Sequence, residues 1–322
     1  MDEFDLIAKY FRPLSEGAAG AYQLLDDAAT LTVPPSEELV LTTDAIVAGT
    51  HFLPDDPIET VAQKLLRVNV SDLAAKGARP FAYLLACVWP HGTSESTIAA
   101  FAKGLAEAQA LYELHLLGGD TTASTGPAAF SLTALGLVPK GRMIKRSGAK
   151  RGDLVFVTGT IGDAGLGLRM LKGEFPSLSS QHGAFLSRRF RLPEPRLAFM
   201  LAARDHIMAS IDVSDGLIAD AGHIAQVSGC RVEIQSTLLP ISEAATEILA
   251  AAGGVAFLAT AGDDYEVCFT APPAARPALE LAAAATQTRI TQIGRVTEGS
   301  GAELLAADGR PIPLPRKGFT HF

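Results

Sequence analysis

What most constrains this chain is a device repeated along its length, an apolar segment that runs into one or two aspartates. Leu39-Val40-Leu41-Thr42-Thr43-Asp44 is the sharpest case. Its apolar, β-branched start reads as a buried strand, and it ends in two hydroxyls and a carboxylate. Leu24-Leu25 leads to Asp26-Asp27, Val68-Asn69-Val70-Ser71 to Asp72, and Leu116-Leu117-Gly118-Gly119 to Asp120. Ile211-Asp212-Val213-Ser214 leads to Asp215, and Ala259-Thr260-Ala261-Gly262 to Asp263-Asp264. One aspartate at a segment end is ordinarily a turn former or a helix cap. Recurrence argues for more, because Thr42, Thr43, Ser71 and Ser214 add oxygen donors beside the acids. Carboxylates gathered in this way need cations, and all-oxygen ligands suit hard ions, Mg²⁺ above all.

With 322 residues, 48% of them hydrophobic, the chain is long enough for a large core and for two domains. A net charge of −8 argues against nucleic acid or an anionic membrane as the main partner. Cys87, Cys230 and Cys268 lie far apart and match no zinc spacing, so they read as core residues of a reducing compartment. The start, Met1-Asp2-Glu3-Phe4-Asp5, is acidic and lacks the regions of a signal peptide. The most apolar stretch, Ile248 to Ala261, is short, rich in Ala and Gly, and bounded by Glu247 and Asp263. The expectation is a soluble cytoplasmic protein with no membrane partner.

Along the chain, residues 2–11 read as a short amphipathic helix with Phe4, Ile7, Ala8 and Phe11 on one face. Leu39–Thr43 is a strand. Asp55-Asp56-Pro57 opens a helix that runs to Gly77, with Asp72 near its end and Pro80 beyond. Phe81 to Trp89 is a buried strand, Ser94 caps a long helix, and 114–117 and 130–138 are strands. The second half begins at Gly152-Asp153 with a strand over 154–158 and a glycine-punctuated helix through Leu171. Residues 173–185 read as a mobile connection. A helix over 198–203, a strand over 207–213 and a helix from Leu217 to Gly229 follow. Strands are expected at 232–234, 255–259, 267–270 and 290–296, and an alanine-rich helix at 274–286. The expected fold is α/β (α+β) in two related domains. Residues 1–148 would bind metal and nucleotide, and residues 149–322 would complete the active site.

Asp212-Val213-Ser214-Asp215-Gly216 is the most specific local motif. Two carboxylates three apart, a hydroxyl and a glycine suit a metal–phosphate site, and Ser214 or Asp215 can also cap the next helix. The run Gly159-Thr160-Ile161-Gly162-Asp163-Ala164-Gly165-Leu166-Gly167 lacks the spacing of a dinucleotide fingerprint and reads as a tight strand-to-helix turn. Lys145-Arg146 and Lys150-Arg151 form a basic cluster that is either a solvated loop or, through Arg146, a bidentate phosphate clamp. Taken alone, His51 and Asp263 read as satisfied structural residues. Phe319 and Phe322 read as pins for the tail.

Read in order, these motifs resemble the thiamine-monophosphate kinase family over essentially the whole chain. The resemblance rests on Glu3-Phe4-Asp5-Leu6-Ile7, Asp26-Asp27-Ala28-Ala29, Thr43-Asp44 and Gly49-Thr50-His51-Phe52. It continues through Asn69-Val70-Ser71-Asp72-Leu73-Ala74-Ala75-Lys76-Gly77-Ala78-Arg79-Pro80, Gly118-Gly119-Asp120-Thr121-Thr122 and Arg146-Ser147-Gly148-Ala149-Lys150. Asp212-Val213-Ser214-Asp215-Gly216-Leu217, Gly262-Asp263-Asp264-Tyr265-Glu266 and the closing Gly318-Phe319-Thr320-His321-Phe322 complete it. Several motifs are shared with the wider superfamily of aminoimidazole-ribotide synthetase-like, ATP-dependent enzymes. The family implies a homodimer built on an N-terminal mixed sheet with helices outside it. It also implies several Mg²⁺ ions acting between ATP and thiamine monophosphate. Matched to this sequence, Asp27, Thr42, Thr43, Asp44, Asp72, Asp120, Asp212 and Asp215 would be metal ligands. Tyr112, Gly119, Asp120, Arg146 and Ser214 would contact ATP, and His51, Asp263 and Phe319 would contact thiamine monophosphate. The chain departs from the family at Gln23-Leu24-Leu25, where a Gly-x-Gly is usual. It departs again at Asp263, usually Glu, and at Phe319, usually Trp or Tyr.

No general base is expected. The acceptor would be a phosphate monoester with a second pKa of about 6, already ionised at neutral pH. The obstacle is repulsion between polyanions, which charge neutralisation and alignment overcome. The resemblance implies phosphoryl transfer from ATP to thiamine monophosphate, giving thiamine diphosphate. Two rivals stand beside it: a superfamily relative that uses ATP on another acceptor, and a non-catalytic protein that binds thiamine phosphate or nucleotide.

Overall fold

The computed structural model describes residues 3–314 together with 316, 318 and 319. The tail residues His321 and Phe322 and the helix position Asp2, all read from the sequence above, lie outside these described residues. The chain divides into two compact units, residues 1–73 with 78–143, and residues 74–77 with 144–322.

The first unit opens with the short helix α1 (Glu3–Leu6) and a wider helical turn, Ile7–Phe11. Phe11 is buried there but Phe4 is exposed, so the expected apolar face is incomplete. The sheet has the order β1-β4-β2-β3, from β1 (Glu37–Val47), β2 (Arg79–Pro90), β3 (His115–Ser124) and β4 (Ala129–Pro139). β4 pairs antiparallel with β1 and β2, while β2 and β3 run parallel. α2 (Ile58–Ala75) and α3 (Glu95–Tyr112) are the unit's long helices. Ser94 caps α3, its hydroxyl accepting the Thr97 N–H at 3.2 Å. The core gathers Phe101, Phe130 and Trp89, with ring centroids 4.4 to 5.2 Å apart. Alternation along the strands leaves the sheet's other face open, where Leu41 and Leu84 are exposed. β2 is therefore half-buried rather than the continuous buried run expected over 81–89.

The second unit carries a sheet of order β10-β7-β9-β5-β8-β6. Its strands are β5 (Leu154–Thr158), β6 (Ala209–Asp212), β7 (Arg231–Gln235), β8 (Val267–Ala271), β9 (Ile290–Thr297) and β10 (Gly301–Leu305). Among the described residues of this sheet only the β10–β7 pair is parallel. Its helices are α4 (Asp163–Leu171), α5 (Ser180–Arg191), α6 (Leu197–Ala203), α7 (Leu217–Ser228), α8 (Glu243–Ala252), α9 (Gly254–Thr260) and α10 (Arg276–Ala285). One core joins Ile218, Ala221, Ile224 and Ala225 of α7 to Val155, Val232 and Leu304 of the sheet. A second joins Phe199 and Leu279 to Phe156 and Phe269. Burying each of the Val, Leu, Ile and Phe side chains among them contributes about 1.5–3 kcal/mol.

Three expectations need correction. Residues 255–259 are not a strand but lie in α9, which follows glycines at positive φ and buries Leu258 and Ala259. A short apolar run carries no period that separates a strand from a buried helix. Residues 180–185 are not loop but the start of α5, whose Leu186 and Phe190 are buried. Leu24-Leu25, grouped above with the apolar segments that precede aspartates, is not a buried segment. Tyr22, Gln23 and Leu24 take φ of 49°, 56° and 53°, and Leu25 is exposed. Three consecutive side chains thus hold the left-handed conformation that glycine adopts most easily.

No single helix among the described residues is long and apolar enough to cross a membrane. α8 and α9, which together span the apolar stretch flagged above, meet at 112°.

Candidate active site

In the first unit the acids sit on regular elements. Asp44 lies inside β1, paired with Leu132, and not at a strand end. Thr42 and Asp44, two residues apart, share a face, and Thr42 Oγ1 donates a short hydrogen bond to Asp72 Oδ2 from the last turn of α2. The Asp44 N–H donates to Asn69 Oδ1 at 3.1 Å, and Asn69 Nδ2 donates to the Leu65 carbonyl at 2.9 Å. Asn69 is fully buried, so the strand and α2 are tied by an amide satisfied at both ends. Burial first, and then the charge of Asp72, push the Asp44 carboxyl up to about 6. Thr43 falls on the opposite face, where its hydroxyl donates to the Leu132 carbonyl at 3.2 Å and accepts from Thr133 at 3.1 Å.

Asp120 is exposed within β3, opposite Ala86 of β2, and Gly119 precedes it. A Cβ on Gly119 would lie 1.8 Å from the Leu85 carbonyl oxygen, so only glycine permits this strand contact. Tyr112 ends α3 with the Arg67 guanidinium 5.7 Å from its ring centroid. Asp27 is exposed in the loop after the left-handed run, its N–H donating to Asp26 Oδ1 at 2.8 Å. His51 sits in the turn after β1. Its Nδ1 accepts the Val47 N–H at 3.1 Å, which leaves Nε2 to carry the proton, and its carbonyl accepts from the buried Lys64 at 3.0 Å. The structure thus brings Thr42, Asp44 and Asp72 together around α2 and β1, with Thr43 on the other face of β1.

In the second unit the candidates sit on turns. Asp212 ends β6 and is buried. Ser214 and Asp215 follow, half-buried, before α7. Asp263 has φ of 70° and donates its N–H to the Ser214 carbonyl at 2.8 Å. Phe319 is exposed, its N–H donating to the Asp215 carbonyl at 2.9 Å. Arg146 is exposed on the segment 145–151, and its carbonyl accepts from Ser228 at 3.4 Å.

Behind these turns lies a buried charge network. Asp264, fully buried, accepts the Gly162 and Ala164 N–H groups at 2.6 and 3.1 Å at the start of α4. Burial holds its carboxyl well above the usual range, against the pull of Arg189. Glu266 accepts from Arg189 at 2.7 Å, from Arg196 at 2.6 Å and from Thr158 at 2.6 Å. Burial alone would raise Glu266, but those cations and hydrogen bonds outweigh it and hold its carboxyl below the ordinary value. Burial also raises Asp163, which pairs with Ser242 and Thr160.

Residues 25–138 match the AIR synthase related protein, N-terminal domain, and residues 150–306 match its C-terminal domain. The thiamine-monophosphate kinase of Caulobacter vibrioides is 46% identical over 323 residues, covering 99% of this chain and 90% of that protein. The chain belongs to the thiamine-monophosphate kinase family. The crystal structure of thiamine-monophosphate kinase from Stenotrophomonas maltophilia K279a, 37% identical, aligns with a TM-score of 0.85 over 97% of this chain and 98% of that one. A structure described as AaThiL complexed with AMPPCP and TMP, 33% identical, gives 0.80 over 99% of this chain and 97% of that one.

Within this thiamine-monophosphate kinase family member, sequence reasoning missed Asn69 and Asp220. Asp220 lies in the first turn of α7, where its Oδ2 accepts the N–H groups of Ser214, Asp215 and Gly216 at 3.0, 3.1 and 3.1 Å. An acid in a first helical turn is common, because the helix dipole favours it, so its position alone carried no signal.

Proposed function

We propose that this chain transfers the γ-phosphoryl group of ATP to thiamine monophosphate, giving ADP and thiamine diphosphate, with several Mg²⁺ ions held by its aspartates. The observation that carries the reading is 46% identity to a thiamine-monophosphate kinase over 99% of the chain. The AaThiL complex with AMPPCP, an ATP analogue, and TMP supports it.

The residues present fit hard cations. Their donors are carboxylates and hydroxyls, and a bound cation would offset both the burial and the Asp72 charge that together push Asp44 up to about 6. Asp27, Thr42, Asp44, Asp72 and Asp120 of the first unit would hold Mg²⁺, as would Asp212 and Asp215 of the second, and Thr43 is assigned to a Mg²⁺ ion from the opposite face of β1. Bound Mg²⁺ supplies neutralisation of phosphate charge and alignment for in-line transfer. The acceptor phosphate, with a second pKa of about 6, brings its own ionised nucleophile, so no side chain has to remove a proton.

Tyr112, Gly119, Asp120, Arg146 and Ser214 are assigned to ATP, with Arg146 able to grip a phosphate through two parallel N–H bonds. His51, Asp263 and Phe319 are assigned to thiamine monophosphate. His51 offers an N–H at Nε2, Asp263 a carboxylate, and Phe319 an exposed ring face for stacking. The open sheet face bearing Leu41 and Leu84 supports association with a second copy as a homodimer. We assign the reaction to the cytoplasm. The acidic charge of −8 favours small-molecule partners over nucleic acid or an anionic membrane.

The test is to incubate the purified protein with ATP, Mg²⁺ and thiamine monophosphate and to quantify thiamine diphosphate and ADP. Equal amounts of both, lost with EDTA and absent when free thiamine replaces the monophosphate, are expected. ATP binding without thiamine diphosphate would overturn the reading.

A further inference from the structure

The turn that joins β6 to α7 is held by backbone hydrogen bonds in two directions. The N–H groups of Ser214, Asp215 and Gly216 converge on one oxygen, Asp220 Oδ2, at 3.0, 3.1 and 3.1 Å. In the other direction, the Ser214 carbonyl accepts the Asp263 N–H at 2.8 Å and the Asp215 carbonyl accepts the Phe319 N–H at 2.9 Å. The tail can come this close only because residue 318 is glycine, where a Cβ would lie 2.7 Å from the Asp215 carbonyl oxygen. Asp263 itself holds a φ of 70°, a conformation that persists only when its surroundings fix it. Asp220 is 2% exposed, so its carboxylate is committed to these amides and not to water.

We propose that Asp220 is a positioning residue that fixes this turn, and through it sets both the direction of the Asp215 side chain and the seats of Asp263 and Phe319. Metal binding and acceptor binding in the second unit are thereby coupled through one buried carboxylate. The inference rests on the reading above that makes Asp215 a Mg²⁺ ligand and Asp263 and Phe319 acceptor contacts. Its physical basis is the cost of an unmade bond. Without the carboxylate, three N–H groups lose their partner, that of Gly216 in a buried position and those of Ser214 and Asp215 in half-buried ones, and the turn rearranges to find others. Partners that orient metal ligands in this way are worth about 10–100-fold in metal affinity or activity. The rival role is direct ligation, because the nearest ligand atoms of Asp215, Asp220 and His223 lie within 4.8 Å of one another.

The experiment compares the full-length protein with Asp220→Asn and Asp220→Ala. Mn²⁺ binding is read by electron paramagnetic resonance and thiamine monophosphate affinity by calorimetry, each per folded molecule. Asp215→Ala identifies which Mn²⁺ signal belongs to this turn. In Asp220→Ala both affinities should fall by about 10–100-fold, as for loss of a partner that orients a metal ligand. In Asp220→Asn, whose amide oxygen still accepts the three N–H groups, both should stay close to wild type. Should Asp220→Ala not fold cooperatively, Asp220→Ser takes its place with the same expectation, since a hydroxyl is too short to serve all three amides.

Unchanged Mn²⁺ and acceptor affinities in Ala or Ser would reduce Asp220 to a structural role and overturn the proposal. Equal losses in Asn and Ala would also overturn it, because charge or direct ligation would then be what matters. If the wild type binds Mn²⁺ but yields no thiamine diphosphate, the functional reading falls, while the Mn²⁺ comparison still decides the role of Asp220.

Discussion

The two units hold their candidate ligands by different means. In the first, Asp44 and Asp120 lie inside strands and Asp72 in a helix, so strand pairing and helical turns already place their backbones. Asn69 adds one hydrogen bond to the Asp44 N–H on a strand that β4 holds from its other side. In the second, Ser214, Asp215 and Asp263 occupy turns, where no ladder satisfies the main chain. Buried side-chain carboxylates do so instead, Asp220 for residues 214–216 and Asp264 for Gly162 and Ala164. A site built on a sheet inherits its geometry from pairing. A site built on turns needs buried carboxyl groups as acceptors, and a buried charge beside them, that of Glu266, needs cations of its own in Arg189 and Arg196.

The largest effect should come from the charge network behind the turns. Glu266→Gln should lower the unfolding free energy by about 3–5 kcal/mol, because it leaves two guanidiniums beside a neutral group. The sign with pH follows from the lowered Glu266 carboxyl. Its contribution is fully present above the ordinary carboxylate pKa and is lost as pH falls through the lower native value. Denaturant unfolding should therefore show a gap between wild type and variant at pH 7 that narrows in acid. A gap that is constant with pH breaks the assignment.

Next in size, Asp44→Ala should reduce kcat by about 10²–10³, as removal of transition-state charge stabilisation does, with cooperative unfolding retained. Turnover near wild type would remove Asp44 from the metal set. Asn69→Ala sharpens the comparison directly. Because β4 still holds β1, its loss of activity should be about tenfold, the low end for a partner of a metal ligand, and smaller than that of Asp220→Ala. An Asn69 effect equal to or above the Asp220 effect would erase the distinction between sheet and turn. A change of similar size, confined to one substrate, is expected for Asp263→Ala. It should raise KM for thiamine monophosphate by about tenfold, in keeping with one charge-assisted contact, and leave KM for ATP nearly unchanged. Equal shifts in both would remove its acceptor role.

Much of this architecture is legible in the sequence wherever a pattern has a period or a punctuation mark. α2 is announced by Asp56-Pro57 and stopped before Pro80, α3 by Ser94, and α7 by Gly229 at its end. α9 was misread because an apolar run of five residues fits strand and buried helix equally. The left-handed run at Tyr22, Gln23 and Leu24 is not legible in those residue types, which do not predict positive φ, and its one trace is the Gly-x-Gly that the family usually carries at 23–25. In the candidate site, the acids were legible as a repeated device, but their mounting was not. That Asp44 lies mid-strand and that Asp220 collects three amides depends on long-range pairing and on the fold of one turn. His51 and Phe319 entered only through family resemblance, because a lone imidazole or ring beside apolar sequence has too many bland explanations.

The account's central claim is direct transfer between two phosphates, assisted by cations on these aspartates. The most direct measurement follows ATP labelled at its γ-phosphorus, with thiamine monophosphate and Mg²⁺, in the wild type and in Asp44→Ala. The account predicts that the label appears in the terminal phosphate of thiamine diphosphate, one for each ADP formed, and that both products fall together in the variant. Label released as inorganic phosphate, or label transfer that survives in Asp44→Ala at the wild-type rate, would contradict it.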